Sequence, residues 1–78
     1  MSNEEIAGKV NDLLISNVAS WTSEKQEEIN NLENGKLSLY ANDYVRNFVE
    51  MENIQKSEDE INEIIENVIL EYKTWLYI

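Results

Sequence analysis

Carboxylates are the residues whose number and spacing could carry chemistry in this sequence. The chain has 16 acidic and 6 basic side chains and no histidine, so its formal net charge is −10. Asp59, Glu63 and Glu66 are spaced by four and three residues, which places them on one helix face with Cβ atoms about 5–6 Å apart. They belong to a stretch that contains a single lysine, Lys56, and the following acids: Glu50, Glu52, Glu58, Asp59, Glu60, Glu63 and Glu66.

This acidic stretch has two interpretations. It is either a solvated face that keeps a small protein soluble, or a surface that binds a basic partner. The spacing of the row is comparable to that of phosphates along a nucleic-acid strand, so a rigid helix carrying it could occupy the basic groove of a nucleic-acid-binding protein. Repulsion within the row costs a few tenths of a kcal/mol per pair. Because the whole chain is so acidic, we take all seven residues as the candidate partner-binding face.

The sequence offers few residues for catalysis or for binding a cofactor. Histidine and cysteine are absent, which excludes the common general bases, thiol nucleophiles and zinc ligands. Gly8 and Gly35 stand alone, so there is no glycine-rich phosphate loop. The run Glu58-Asp59-Glu60 lacks the alternating spacing of a calcium loop. We therefore expect a non-enzymatic protein with no catalytic residue, no metal and no cofactor.

Charge and hydropathy also bound the location and the partners of the protein. No apolar run approaches the roughly 20 residues needed to span a bilayer. The first residues, Met1 to Glu5, are acidic where a signal peptide would be basic. The negative charge repels nucleic acid and anionic membranes. We expect a cytoplasmic protein that binds neither of them directly and associates with a basic protein surface instead.

The strongest predicted element is a helix over about residues 58–77. Ser57 with Glu60 three residues later forms a capping box, and the acids that follow Ser57 suit the positive end of the helix dipole. The apolar residues recur at the spacing of one helix face, which predicts the main core stripe of the protein. They are Ile61, Ile64, Ile65, Val68, Tyr72, Trp75 and Leu76.

Two further long helices are predicted, over about residues 3–20 and 38–55. The first begins at a capping box of Ser2 and Glu5 and has Asn17 within its stripe, where we expect a buried, hydrogen-bonded side chain that fixes register. Its apolar stripe is Ile6, Val10, Leu13, Leu14, Val18 and Trp21. The stripe of the other helix is Leu37, Tyr40, Ala41, Tyr44, Val45, Phe48 and Met51.

A short, weak helix is predicted over about residues 24–33, between the first two long ones. Ser23 with Gln26 would cap it, and only Ile29 and Leu32 would anchor it, so we expect it to be the least stable element. Asn34-Gly35 then ends this helix or forms a hairpin turn between residues 29–33 and 36–40. The helical periodicity on both sides favours two helices.

Together these elements predict an all-α fold, a small antiparallel helical bundle that forms one domain over residues 1–78. Short connections imply antiparallel neighbours. In the last helix, Leu70 and Tyr77 lie opposite the main stripe, with Ile78 close to them. A helix that is apolar on two sides packs against two neighbours, which are either other helices of the same chain or another molecule. This second side is either an internal contact or a self-association surface, and the sequence favours neither interpretation over the other.

The general profile is similar to that of small phage or mobile-element proteins that inhibit host nucleic-acid machinery, anti-CRISPR proteins among them. Those proteins share shortness, acidity and lack of cofactors but no common signature. The resemblance implies an inhibitor in the host cytoplasm that acts as a nucleic-acid mimic. The alternatives are a helical structural or assembly protein that forms a homodimer or small oligomer, and an antitoxin or immunity protein that neutralises a toxin.

Overall fold

The protein is a bundle of four α-helices. The computed structural model describes residues 1–31 and 36–76, and no strand occurs within these two ranges. The prediction of a small all-α bundle with three long helices and one short one is confirmed. In chain order the helices are α1 (Asn3–Val18), α2 (Ser23–Asn30), α3 (Lys36–Met51) and α4 (Glu58–Leu76).

Helix α4 packs against both of the other long helices, and α1 and α3 have a smaller contact with each other. The ring of Trp21, just after α1, lies 5.1 Å from that of Tyr40 near the start of α3. Asn17, one turn earlier in the chain, bonds Tyr44, one turn later. Residue numbers therefore rise along one helix as they fall along the other, so α1 and α3 run antiparallel.

The core is built from small and medium apolar side chains of all four helices. Tyr72 is the largest fully buried side chain. The core residues share periodic positions on the inner faces, as the sequence predicts for most of them. They are Ile6, Ala7, Val10, Leu14, Val18, Ile29, Leu37, Ala41, Val45, Val49, Ile64, Val68 and Tyr72.

Three residues of the predicted core stripes are exposed instead. Leu13 is 49% exposed, Met51 85% and Trp75 43%. Trp75 lies on the same side of α4 as Ile64 and Val68, but in the last turn of the helix. Leu13 and Met51 lie at the margins of their stripes, and these stripes are wider than the neighbouring helices cover. Tyr40, Tyr44 and Phe48 are half-buried for the same reason, and they pack against the core with one side only.

Helix α3 ends at Met51, earlier than the predicted boundary at about 55, because Asn53 terminates it. Asn53 has a φ of 53°, the left-handed conformation that asparagine tolerates better than most residues. Its N–H donates to the carbonyl of Glu50 (3.1 Å), and the N–H of Ile54 donates to that of Val49 (2.9 Å). These two bonds form a Schellman motif, which satisfies carbonyls at the helix end and redirects the chain towards α4.

The junction between α1 and α2 differs from the prediction by one or two residues. Helix α1 begins after the Ser2 cap as predicted, but it ends at Val18. The side chain of Thr22, and not that of Ser23, caps α2. The predicted partner, Gln26, instead donates its amide to the carbonyls of Val18 (2.8 Å) and Trp21 (3.1 Å). It thereby satisfies carbonyls at the end of α1 and ties the two helices together.

Helix α2 is held by a few specific contacts. Ile29 is fully buried. The Tyr72 hydroxyl donates to Oδ1 of Asn30 at 2.5 Å and so links α2 to α4. Leu32, Asn34 and Gly35 lie outside the described residues, and so do the end predicted for α2 and the turn. Residues 36–40, which the hairpin alternative places in a strand, are the first turn of α3, so that alternative is excluded.

The prediction for Asn17 is half correct. Its Nδ2 donates to the Tyr44 hydroxyl at 2.9 Å, which fixes the register of α1 against α3, but the residue is exposed. The buried asparagine of α1 is Asn11, whose Oδ1 has no hydrogen-bond partner in the described part of the protein. Both amides stand within the polar–apolar margin of α1, where periodicity alone does not decide which one turns inward.

Gly8 lies inside α1, where it weakens the helix without a packing role. A Cβ added at Gly8 would meet nothing within 4 Å. Glycine in a helix interior costs about 1 kcal/mol relative to alanine. We expect Gly8→Ala to raise the free energy of unfolding by about 0.5–1 kcal/mol, measured by urea denaturation followed by circular dichroism. Loss of stability in this variant would contradict the open space around the Cβ position of Gly8.

Candidate functional site

The seven acids of the predicted binding face do not share one surface. Glu50 belongs to the last turn of α3, and Glu52 lies in the turn that follows it. Glu58 and Glu60 stand in the first turn of α4, where each has a partner within the protein. The remaining acids, Asp59, Glu63 and Glu66, lie on the side of α4 opposite its buried stripe, and all three are exposed.

Glu58 is bound to Arg46, the chain's only arginine. Its Oε1 lies 2.5 Å from Nη2 of Arg46, and this ion pair links α3 to the start of α4. The hydrogen bond from the guanidinium, together with its charge, holds the pKa of Glu58 below its ordinary value and raises that of Arg46. Arg46 is itself held by Oδ1 of Asn42 at 2.9 Å, so the pair has a fixed geometry.

Glu60 completes the predicted capping box. Its N–H donates to the Ser57 hydroxyl at 3.2 Å. In return its carboxylate accepts from the Ser57 N–H, and this bond is the main reason that the pKa of Glu60 is lowered. Lys56 lies 3.4 Å from the same carboxylate and contributes a smaller part. Glu58 and Glu60 are therefore structural residues of the α3–α4 turn as well as acids.

The outer α4 face, defined here as Asp59, Glu63, Glu66 and Leu70, is the candidate site that the fold leaves open. These residues follow one another at intervals of four, three and four, nearly opposite the buried stripe of α4. Asn3 donates an amide hydrogen bond to Glu63 at 3.3 Å. Within the described ranges no basic side chain forms an ion pair with any of the three carboxylates.

Leu70 continues this row as an apolar residue and is 66% exposed. It borders a shallow depression with Glu4, Asn67 and Glu71, at the edge where α1 meets α4. The sequence predicts that Leu70, Tyr77 and Ile78 form either an internal contact or a self-association surface. Tyr77 and Ile78 lie outside the described residues, so the structure describes Leu70 alone of that group.

A second open surface, the α1–α3 groove, is one that the sequence did not identify as a site. It is a cavity of about 390 Å³ whose lining includes Leu13, Asn17, Tyr44, Phe48, Met51 and Glu52. It lies along the seam of α1 and α3, whose contact with each other is smaller than the contact of either helix with α4. In the sequence, the apolar stripes of α1 and α3 are wider than one helix contact requires. Periodicity alone predicts all of their residues as core and does not separate out those that line a groove.

The described residues contain no group of three or more acidic side chains that could hold a metal ion. Within the same part of the chain, no helix has both the length and the apolar character to cross a membrane. No protein-family model matches the sequence, and comparisons with curated proteins and with solved structures found no significant match. The geometry of the two open surfaces is therefore the basis for the functional proposals below.

The Arg46–Glu58 ion pair should make the stability of the protein depend on pH. A folded-state pKa that is lowered contributes stability above the unfolded pKa and loses it as the pH falls through the folded value. We expect Arg46→Gln to be less stable than the parent protein at pH 7. The difference should begin to shrink as the pH falls below the ordinary glutamate value of 4.5, and it should be lost once the pH falls below the lowered pKa of Glu58 in the folded protein. Urea denaturation of both proteins across this pH range measures it, and a difference independent of pH would contradict an electrostatic origin.

Proposed function

We propose that this protein is a non-enzymatic binding module that docks its outer α4 face on a basic surface of a nucleic-acid-binding protein and so blocks access of the nucleic acid. The observation that supports the proposal most directly is the row of exposed carboxylates that form no ion pair with any basic side chain of the described residues, on a chain whose formal net charge is −10. Such a field attracts basic surfaces and speeds encounter with them.

The rigidity of α4 supports the use of this row as a mimic of regularly spaced charges. The helix spans 19 residues, and its opposite side is fixed in the core by Ile64, Val68 and Tyr72. Asp59 and Glu66 are therefore held about 10 Å apart along the helix axis. A preorganised row loses less conformational entropy on binding than carboxylates on a loop.

The structure also ranks the acids of the predicted face. Glu58 and Glu60 are engaged by Arg46 and by Ser57 with Lys56, so a partner would compete with existing bonds for them. Asp59 and Glu66 have no such bond among the described residues, and Glu63 would exchange only the 3.3 Å hydrogen bond from the amide of Asn3. We therefore place the main electrostatic contact at these three residues, with Leu70 as the apolar contact beside them.

The test is a charge reversal at this face, with a matched reversal elsewhere. The variant Glu63→Lys/Glu66→Lys alters the outer α4 face, and Glu27→Lys/Asp43→Lys makes the same change in net charge at exposed positions of α2 and α3. Immobilised parent protein should retain basic DNA-binding proteins from a cell extract and release them on addition of salt or double-stranded DNA. We expect the first variant to lose roughly tenfold or more in affinity, with its helical circular dichroism unchanged, and the control to lose much less.

Equal loss in the two variants would show that net charge alone, and not the outer α4 face, attracts the basic proteins. Unchanged binding in both would remove the proposal. An antitoxin or immunity protein would use the same acidic surface to bind a different target. The identity of the retained protein would distinguish this role.

Self-association is the second candidate function, and the exposure of Leu70 favours it. Because two copies would bring two strongly negative charges together, we expect light scattering to give a monomer mass at low ionic strength. A dimer that Leu70→Ser converts to monomer would instead establish an assembly function.

A further inference from the structure

The α1–α3 groove lies on a different side of the bundle from the outer α4 face. Its floor and walls are apolar: Phe48 and Tyr44 are half-buried, while Leu13 and Met51 are 49% and 85% exposed. A neighbouring depression continues it along α1 and shares Leu13, Phe48 and Glu52. The two together form one elongated surface with an apolar strip along Leu13, Phe48 and Met51 and polar residues beside it. An exposed apolar strip has a cost in hydration.

The shape of this surface fits a helix as its occupant. It runs between two antiparallel helices. The side chains of a third helix can pack into such a groove as ridges pack into grooves in ordinary helix packing. Met51 adds a flexible side chain that can adapt to the apolar stripe of the occupant. An extended peptide gains affinity by pairing with an exposed sheet edge, and the described part of the protein has no strand.

Charge selects the kind of helix. Asp12 and Glu52 stand at the continuation of the groove beside Lys9, and no ion pair neutralises either acid within the described part of the chain. The formal net charge of the whole chain is −10. A second copy would bring an equal negative charge to this surface, whereas a helix with lysine or arginine beside its apolar stripe would meet the rim acids with opposite charge.

We infer that the α1–α3 groove binds a basic amphipathic helix of a partner protein, with the apolar stripe of that helix on Leu13, Phe48 and Met51 and its cations at Asp12 and Glu52. This inference does not depend on the proposed function, because it uses a different face of the bundle. The two surfaces could serve one partner or two.

The probe is a synthetic amphipathic helical peptide made of leucine and lysine, titrated into the isotopically labelled protein and followed by nuclear magnetic resonance. We expect saturable binding with amide shifts concentrated at Leu13, Ser16 and Phe48. A peptide of the same composition in scrambled order should bind at least tenfold more weakly, because it has no apolar stripe. A twin with glutamate in place of lysine should also bind at least tenfold more weakly, because it reverses the charge match.

Three variants separate the groove from the rest of the surface. Leu13→Ala/Met51→Ala removes exposed apolar side chains from the groove and should weaken the peptide by roughly tenfold or more. Leu39→Ala removes an exposed leucine outside both proposed binding surfaces and should leave the affinity within about twofold of the parent. Glu63→Lys/Glu66→Lys should keep groove binding, with the same amides shifted, even if it abolishes the proposed function.

The opposite pattern overturns the inference. If the scrambled peptide binds as well as the amphipathic one, or if only the charge-reversal variant loses binding, the attraction is general electrostatics. If the shifts spread away from the groove, or if no peptide saturates, the groove is not a docking site. A dimer in light scattering that Leu13→Ala/Met51→Ala dissociates would make a second copy the occupant and would also contradict the inference.

Discussion

The burial of one face of α4 is the constraint on which the rest of this protein depends. Ile64, Val68 and Tyr72 are fully buried in the contact with α1 and α3, and no disulfide supports a chain of 78 residues. A domain of this size has a small core, so the loss of this one interface would leave α1 and α3 without most of their packing. The hydroxyl of Tyr72 extends the same interface to α2 through Asn30. The short helix, which has little apolar surface of its own, is tied to α4 by this bond, while its main packing contact is with α3.

The same packing determines which charges are available to a partner. With one face of α4 fixed inward, the helical repeat directs Asp59, Glu63 and Glu66 outward. Acids nearer the α3–α4 turn have structural roles instead. Arg46 joins Glu58 across the turn, and Ser57 with Lys56 engages Glu60. Some of the acidic side chains thus stabilise the α3–α4 turn, and others form an open row on α4. The repulsion among the acidic side chains is spread over several sides of the bundle.

The α1–α3 groove is a consequence of the same arrangement. Both helices contact α4 extensively and each other less, so aromatic and apolar side chains at their seam are only partly covered. The Asn17–Tyr44 hydrogen bond and the Trp21–Tyr40 ring contact close one end of the seam. The other end, near Met51 and Glu52, stays open. The described part of the protein therefore presents one acidic face and one apolar groove with an acidic rim.

The sequence by itself determined the helical class, the two serine capping boxes and most of the buried stripes, because caps and periodicity are local properties of the chain. It could not determine helix ends that depend on backbone conformation or on a distant acceptor, as at Asn53 and Gln26. Nor could it separate core from groove in the stripes of α1 and α3. Leu13 and Met51 have the spacing of buried residues, and only the distance between packed helices decides that they face water. The sequence likewise grouped seven acids by their nearness along the chain. The tertiary structure divided them, because the Schellman turn and the ion pair with Arg46 send neighbouring residues to different faces of the bundle.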